Sequence, residues 1–165
     1  MGRAHDLLTR EAWQGASLSE VVRGTLAPYD GRGADPARIV ARGPEVRLVP
    51  NAAVALHMAF HELATNAARY GALTAREGRV EVAWSVAPGA AAAPNPDEGA
   101  VLKIRWRERG GPRVPGPPAR RGFGSRLVER GLSRQLGGEA RLDFQPAGVE
   151  FSLRLPLSAR VQAAG

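Results

Sequence analysis

The sequence predicts an α/β (α+β) two-layer sandwich in which helices cover one face of a mixed sheet. Two segments, RVEVAWSV (79–86) and VLKIRWRE (101–108), alternate apolar and polar residues as half-buried strands do. Residues 51–70 repeat apolar side chains at helical spacing, and ARLDF with VEFSLRLPL, separated by QPAG, indicates a closing hairpin. Since each element has one apolar face, a single sheet under helices buries all of them most simply.

The N-terminal third combines predicted helices with two short strands. AHDLLTREAW (4–13) is predicted to be helical, and SLSEVVRGTLAPY (17–29) predicts a second helix. Ser17 is a suitable N-cap with Glu20 three residues on, which is the capping-box pattern, and Pro28 should end this helix. The two short strands follow in ARIVARG (37–43) and EVRLVP (45–50).

The long helix predicted over 51–70 has an apolar side and a polar edge. At about 100° per residue, its apolar side collects Leu56, Ala59, Phe60, Leu63, Ala67 and Tyr70. Glu62, Asn66 and Arg69 share one narrow wedge beside it. An asparagine in mid-helix is unfavourable because its side chain competes for backbone hydrogen bonds. Its amide oxygen is a hard ligand that suits Mg²⁺, and an arginine one turn on can pair with phosphate. For this helix alone, an ordinary solvated face is an equally good interpretation.

Two histidines on the same helix raise the alternative of a zinc site. His57 and His61 are four residues apart and therefore share a face. Zinc proteases place the glutamate between the histidines, in His-Glu-x-x-His, whereas here Glu62 follows the second histidine. We therefore expect two partly exposed histidines and no zinc ion.

The region after the second long strand is rich in glycine and proline. Residues 109–121 contain too many of both for regular structure, which predicts a mobile lid. Gly122 and Gly124 directly precede a helical pattern that ends at Gly137. Glycines admit close approach of a ligand, and a helix N-terminus attracts phosphate. Taken alone, a plain surface loop is the better interpretation. The sequence contains neither the GxxxxGK[ST] of a P-loop nor the GxGxxG of a dinucleotide fold.

Composition narrows the possible partners and the compartment. The formal net charge is +7, and Lys103 is the only lysine. Such a charge favours anionic partners, but the excess of arginine, alanine, glycine and proline is explained first by GC-rich codon bias. No recognition-helix or aromatic-basic pattern predicts nucleic-acid binding. Without cysteine, a hydrophobic signal core or an apolar run of about 20 residues, we expect a cytoplasmic domain that makes no membrane contact.

Three motifs occur in a characteristic order: HELATNAARYGA (61–72), WRERGGP (106–112) and GFGSRLVERGLSRQLGG (122–138). In this combination the chain, over about residues 3–157, resembles the ATP-binding catalytic domain of bacterial sensor histidine kinases, and in particular the HWE subfamily. The signature residues of that subfamily correspond to His61, Trp106 and Glu108. The resemblance implies the Bergerat (GHKL-type) ATP-binding fold.

The resemblance also implies roles for residues of the long helix. Asn66 would hold Mg²⁺ against the triphosphate of ATP, and Arg69 would contact phosphate where relatives usually have lysine. Glu62 matches the glutamate that activates water in gyrase-like ATPases. Tyr70 would line the nucleotide pocket.

Further roles fall on the two glycine-rich motifs. Glu108 would accept a hydrogen bond from the amino group of adenine, and Gly110 with Gly111 would let the backbone pass the base. The second motif would cradle the phosphates with Gly122, Phe123, Gly124 and Ser125. The lid would add positive charge near the γ-phosphate through Arg113, Arg120 and Arg121.

The function implied by the resemblance is transfer of the γ-phosphoryl group to a histidine on a separate dimerisation domain, and then to a response-regulator aspartate. In relatives the acceptor histidine is followed by arginine and then by lysine and asparagine, and no such run occurs in this sequence. His5 is followed by Asp6, so we do not expect it to be the acceptor. We therefore expect a monomeric catalytic domain over 16–160, a linker remnant over 1–15 and a frayed tail over 161–165. Two alternatives stay open: a serine-directed kinase or ATPase of the same fold, and a non-catalytic nucleotide-binding module.

Overall fold

The computed structural model describes residues 16–30, 38–87, 100–115, 137–156 and 161–163. Two predicted segments lie wholly or largely outside these residues: the helix over 4–13 and the helical pattern that follows Gly124. The described part contains eight strands and two α-helices. The strands are β1 (Ala16–Ser17), β2 (Ile39–Arg42), β3 (Val46–Leu48), β4 (Arg79–Ala87), β5 (Val101–Arg109), β6 (Glu139–Gln145), β7 (Gly148–Pro156) and β8 (Val161–Ala163). The helices are α1 (Leu18–Leu26) and α2 (Pro50–Arg69), with short 3-10 turns at Ala27–Tyr29 and Ala72–Thr74.

Five strands form the main sheet, in the order β2-β4-β5-β7-β6. Strand β2 runs parallel to β4 and every other neighbour is antiparallel, so the sheet is mixed, as predicted. Alternation along β5 buries Ile104 and Trp106 and exposes Lys103 and Arg105. One face of the sheet therefore belongs to the core, while the other carries charged side chains.

A second, three-stranded sheet was not predicted. It has the order β1-β3-β8, with β3 pairing antiparallel to both neighbours. The backbone of Val161–Ala163 pairs with Val46–Leu48, so the prediction of a frayed tail was wrong for these three residues. A three-residue strand carries too little alternation to be recognised, and its partner lies more than a hundred positions away along the chain.

Helix α1 begins and ends close to the predicted positions, but its cap differs. It starts after Ser17 and ends at Leu26, two residues before Pro28. The backbone of Ser17 is extended (φ −73°, ψ 135°), as an N-cap requires, yet its side chain makes no capping hydrogen bond. Ser17 instead pairs with Arg47 in the β1–β3 ladder. The capping box was therefore wrong, and the backbone of Ser17 ends a short strand instead.

The predicted apolar side of α2 forms the centre of the core. Leu56 and Phe60 are fully buried in one cluster with Trp106 and Phe151 from the sheet. Burial of side chains of this size contributes about 1.5–3 kcal/mol each. Tyr70 is the exception: it is 74% exposed, so its placement in the core was wrong. The reason is local, since the helix ends at the residue before it and the φ of Tyr70 changes to −130°.

Candidate functional site

The polar edge predicted on α2 is present, and its side chains have no partners among the described residues. Glu62 and Asn66 are half-buried, and Arg69 is exposed. Within the part of the chain that the structure describes, none of these three side chains forms a hydrogen bond or an ion pair. The carboxylate, the carboxamide and the guanidinium are thus available to a ligand along one side of the helix.

A tight turn follows this edge directly. The amides of Tyr70 and Gly71 both donate to the carbonyl of Asn66, at 2.8 and 3.2 Å. The hydroxyl of Thr74 then donates to the carbonyl of Gly71 at 2.7 Å. Any ligand bound at Asn66 therefore lies next to an ordered turn, over residues 70–78.

Arg38 ties this turn to the start of β2. Its Nε donates to the carbonyl of Gly78 at 3.2 Å, and its Nη2 donates to the carbonyl of Leu73 at 3.3 Å and to that of Ala75. A planar guanidinium suits this task because it offers several donors in fixed directions. Arg38 therefore acts as a strap that joins three carbonyl groups of one turn.

The carboxylate of Glu108 lies under the same turn. Only 2% of Glu108 is exposed, and its Oε1 accepts a hydrogen bond from the amide of Ala72 at 3.0 Å. Its Oε2 accepts a second one from the indole Nε1 of Trp106, also at 3.0 Å. Burial raises the pKa of Glu108, while the hydrogen bonds from Ala72 and Trp106 oppose that rise. The turn after α2 and the end of β5 thus meet at one buried carboxylate.

Glycines allow the backbone to come this close. A Cβ on Gly71 would lie 2.3 Å from Oε1 of Glu108, and one on Gly111 would lie 2.4 Å from the Cα of Ala72. Gly110 adopts a positive φ of +77°, which is unfavourable for other residues. Gly110 and Gly111 thus allow the chain to pass close to the turn after α2 where β5 ends. Their predicted role beside the base of a nucleotide stays a prediction.

The remaining predicted residues divide between the described and the undescribed parts. His61 is exposed, and its carbonyl accepts a hydrogen bond from the Thr65 hydroxyl at 2.8 Å. Arg113 is exposed in the first part of the predicted lid, where the amide of Val114 donates to the carbonyl of Pro146 at 3.1 Å. The residues that lie outside the described ranges are Arg120, Arg121, Gly122, Phe123, Gly124 and Ser125.

The two histidines of α2 stack on each other, with ring centroids 6.2 Å apart. Nδ1 of His57 lies 2.8 Å from the hydroxyl of Thr25, which itself donates to the carbonyl of Val21. Burial, and next the nearby His61, lower the pKa of His57. Among the described residues, no cluster of three or more histidine, aspartate, glutamate or cysteine side chains is arranged to hold a metal ion.

A groove of about 460 Å³ lies elsewhere, between α1 and β2. Its lining is largely apolar and includes Val22, Leu26 and Ile39, with Arg23 and Asp30 at its polar part. None of the predicted site residues within the described ranges contributes to it. Of the two described helices, neither has the length and apolarity to cross a bilayer.

Sequence reasoning missed the residues that hold Glu108 in place. Gly71 and Ala72 lie inside the motif HELATNAARYGA but were given no role, and Arg38 carries no local signal at all. Gly71 was the one available sequence signal, because glycine has no side chain and so allows another group to come close to the backbone. Trp106 was identified only as a signature residue, and its hydrogen bond to Glu108 depends on a side-chain arrangement that a pattern does not specify.

Comparison with known proteins extends these findings. Residues 1–45 match the family model described as HWE histidine kinase. The blue-light-activated histidine kinases of Brucella melitensis and Brucella abortus are 35% identical to this chain over 162 residues, which is 98% of the chain. The chain spans 31% of the length of these relatives.

Solved structures share the fold. The histidine kinase domain of the blue-light-activated histidine kinase EL346 from Erythrobacter litoralis matches 87% of this chain and 60% of its own, with a TM-score of 0.59 at 20% identity. The catalytic domain of histidine kinase ThkA matches 86% of this chain and 94% of its own, with a TM-score of 0.52 at 13% identity. ThkA has also been solved in complex with the response regulator protein TrrA, where the match covers 87% of this chain and 41% of that one, with a TM-score of 0.52 at 12% identity. The mixed sheet covered by α2 is thus the fold of histidine kinase catalytic domains.

Proposed function

We propose that this chain, which belongs to the HWE histidine kinases and has the fold of a histidine kinase catalytic domain, binds Mg-ATP and supplies its γ-phosphoryl group to a histidine on another domain. One observation carries the proposal. The polar edge of α2, which has Asn66 at its centre and no partners among the described residues, leads directly into the turn that holds the buried carboxylate of Glu108. A phosphate-binding edge and a base-binding acceptor would then be adjacent.

The residues of α2 fit the phosphate end of a nucleotide. Asn66 offers a half-buried amide oxygen without an internal partner in the described chain, which suits Mg²⁺. Mg²⁺, when bound, neutralises charge on the phosphate oxygens. The exposed guanidinium of Arg69 would pair with a phosphate in bidentate fashion. Glu62, one turn before Asn66, would orient the attacking group by accepting a hydrogen bond from it.

The base would bind at the end of β5. Glu108 keeps lone pairs beyond the two that it already uses, and it would accept a hydrogen bond from the amino group of adenine. Tyr70 is exposed beside this turn and would cover the base. The phosphates would lie against Gly122, Phe123, Gly124 and Ser125 under the lid, with Arg113 adding charge.

The proposed partners follow from the chemistry of the transfer. The phosphoryl group would pass to a histidine of a dimerisation domain of the same kinase, and then to a response regulator, in the cytoplasm. The 16–160 domain would be monomeric by itself. The relatives are about three times as long as this chain, which leaves ample length for such a dimerisation domain and for a sensor.

The first test measures binding of ATP with and without Mg²⁺ by calorimetry. We expect Asn66→Ala to weaken binding at least about tenfold, which is about 1.4 kcal/mol, when Mg²⁺ is present and to change little in its absence. Asn51→Ala is the matched control, because Asn51 is an exposed asparagine in the first turn of the same helix. Equal affinities of the Asn66→Ala variant and the parent in Mg²⁺ would remove Asn66 as the metal ligand.

The second test addresses the transfer itself. The chain is mixed with labelled ATP and a separately produced dimerisation domain of its full-length kinase. We expect label on that domain in an acid-labile, base-stable form, which is the behaviour of phosphohistidine. Acid-stable label would indicate a serine-directed kinase instead. Tight ATP binding without any transfer, under conditions where a related kinase labels its own domain, would indicate a non-catalytic binding module.

A further inference from the structure

The hydrogen bond between Trp106 and Glu108 has an unusual setting. Both side chains lie on the core face of β5, two residues apart, as strand geometry requires. Trp106 is completely buried and Glu108 is 2% exposed. An indole N–H can only donate, and an ionised carboxylate can only accept, so the roles in this bond are fixed.

The ring of Trp106 is held in place by the core around it. It lies opposite Val82 on one neighbouring strand and Phe151 on the other, and all three residues are buried. A close-packed interior leaves such a ring little freedom. The indole N–H therefore presents a donor at a fixed point, 3.0 Å from Oε2 of Glu108.

The second oxygen of the carboxylate is bound by a different element, the turn after α2. The amide of Ala72 donates to Oε1, and the turn that carries this amide is held by Arg38. The carboxylate thus accepts one hydrogen bond on each oxygen, and each donor belongs to a part of the fold that other contacts hold in place. Loss of either donor would leave a buried oxygen without its partner and free to rotate or take up a proton.

We propose that Trp106 is a positioning residue for base recognition, whose indole N–H holds the Glu108 carboxylate in the orientation that accepts a hydrogen bond from the amino group of adenine. This inference rests on the proposed nucleotide binding. Trp106 itself does not touch the base. Trp106 would determine which base the site prefers, and it would leave the contacts to the phosphates unchanged.

The chemistry of selection follows from a fixed acceptor. An ionised carboxylate held still attracts an amino group and repels an oxo group at the same position of the purine. A carboxylate that turns away or becomes protonated can accommodate either group. Sites built to hydrogen-bond one group of a substrate reject analogues that lack it by large factors. The preference of the protein for ATP over inosine triphosphate (ITP), which carries an oxo group there, therefore reports the state of Glu108.

The experiment compares dissociation constants for Mg-ATP and Mg-ITP in the parent, in three single variants and in one double variant. Trp106→Phe keeps an aromatic ring and removes the N–H. Trp84→Phe is the matched control. Trp84 lies on the neighbouring strand β4, is also buried, and donates from its Nε1 to the carbonyl of Pro44 at 2.7 Å. Glu108→Ala removes both oxygens, and with them the acceptor to which the Trp106 N–H donates. The ratio of two constants from one sample is unaffected by any unfolded fraction.

We expect the preference for ATP over ITP to fall by on the order of tenfold or more in Trp106→Phe and to stay at the parental value in Trp84→Phe. The double variant Trp106→Phe/Glu108→Ala should match Glu108→Ala alone, because no carboxylate is left for Trp106 to hold. The inference is overturned if Trp106→Phe weakens ATP and ITP equally, or if it changes the ratio further in the Glu108→Ala background.

A second measurement keeps the question decidable if Trp106→Phe does not fold. The indole N–H signal of Trp106 in the otherwise unaltered protein, assigned by nuclear magnetic resonance with Trp13→Phe and Trp84→Phe, should move on addition of ATP. If the chemical shift of the Trp106 indole N–H stays the same at saturating ATP, the positioning role is overturned. Failure of the proposed function looks different: the parent itself would bind neither nucleotide, or would bind both equally.

Discussion

Replacement of Gly71 by alanine tests the buried contact between the turn after α2 and the carboxylate of Glu108. An added Cβ would lie 2.3 Å from Oε1 of Glu108, whereas a carbon and an oxygen that are not bonded stay about 3.3 Å apart. The carboxylate or the turn must therefore move by about 1 Å. The φ of Gly71 is −110°, so the effect does not arise from a left-handed backbone.

The size of the effect follows from the hydrogen bond that is lost. The amide of Ala72 lies 3.0 Å from Oε1, and a shift of this size takes the bond out of range. A hydrogen bond to a charged group contributes about 1.5–3 kcal/mol, and the oxygen left behind is buried. We expect Gly71→Ala to lower the free energy of unfolding by about 2–3 kcal/mol. That corresponds to a fall in Tm of about 4–12 °C for a domain of this size.

Urea denaturation followed by tryptophan fluorescence and by circular dichroism measures this change. The matched control is Gly24→Ala, since no atom lies within 4 Å of the Cβ that would be added there in α1. We expect Gly24→Ala to raise the free energy of unfolding by about 0.5–1 kcal/mol, because alanine favours a helix more than glycine does. If Gly71→Ala stays within about 0.5 kcal/mol of the parent, which is the usual size of a surface substitution, the contact does not have the importance assigned to it.

The remaining predictions concern the strap and the histidine pair. Arg38→Ala removes three hydrogen bonds to the turn and should lower the free energy of unfolding by about 1–3 kcal/mol. Arg38→Lys should recover only part of this lost free energy, because an ammonium lacks the planar arrangement of donors that a guanidinium has. Full recovery in Arg38→Lys would contradict this account. Burial, and to a smaller extent the nearby His61, lower the pKa of His57 below 6.5. The contribution of His57 to stability is therefore fully present above pH 6.5 and is lost as the pH falls through the lowered pKa. His61→Asn should raise the pKa of His57 in a nuclear magnetic resonance titration and lessen the loss of stability on acidification, whereas an unchanged titration of His57 would show that His61 has no influence.

The sequence alone determined most of the described elements of this protein and the polar edge of α2. Alternation gave β4 and β5 almost to the residue, and helical spacing gave α2 with its apolar side. These patterns are local, because each element must bury one face and therefore repeats apolar residues at its own period. The wedge of Glu62, Asn66 and Arg69 followed from the same geometry. The order of the motifs indicated the kinase family, which the comparisons bear out.

Only the tertiary structure decided what surrounds that edge. The bonds of Glu108 to Ala72 and of Arg38 to the same turn join residues more than thirty positions apart. The pairing of β8 with β3 spans most of the chain, and the exposure of Tyr70 depends on where α2 ends. Hydrogen bonds and steric contacts of this kind act over a few ångströms in space, so their partners are set by how the layers pack. A periodic pattern fixes which face of an element is buried, but not which donor will meet a buried carboxylate.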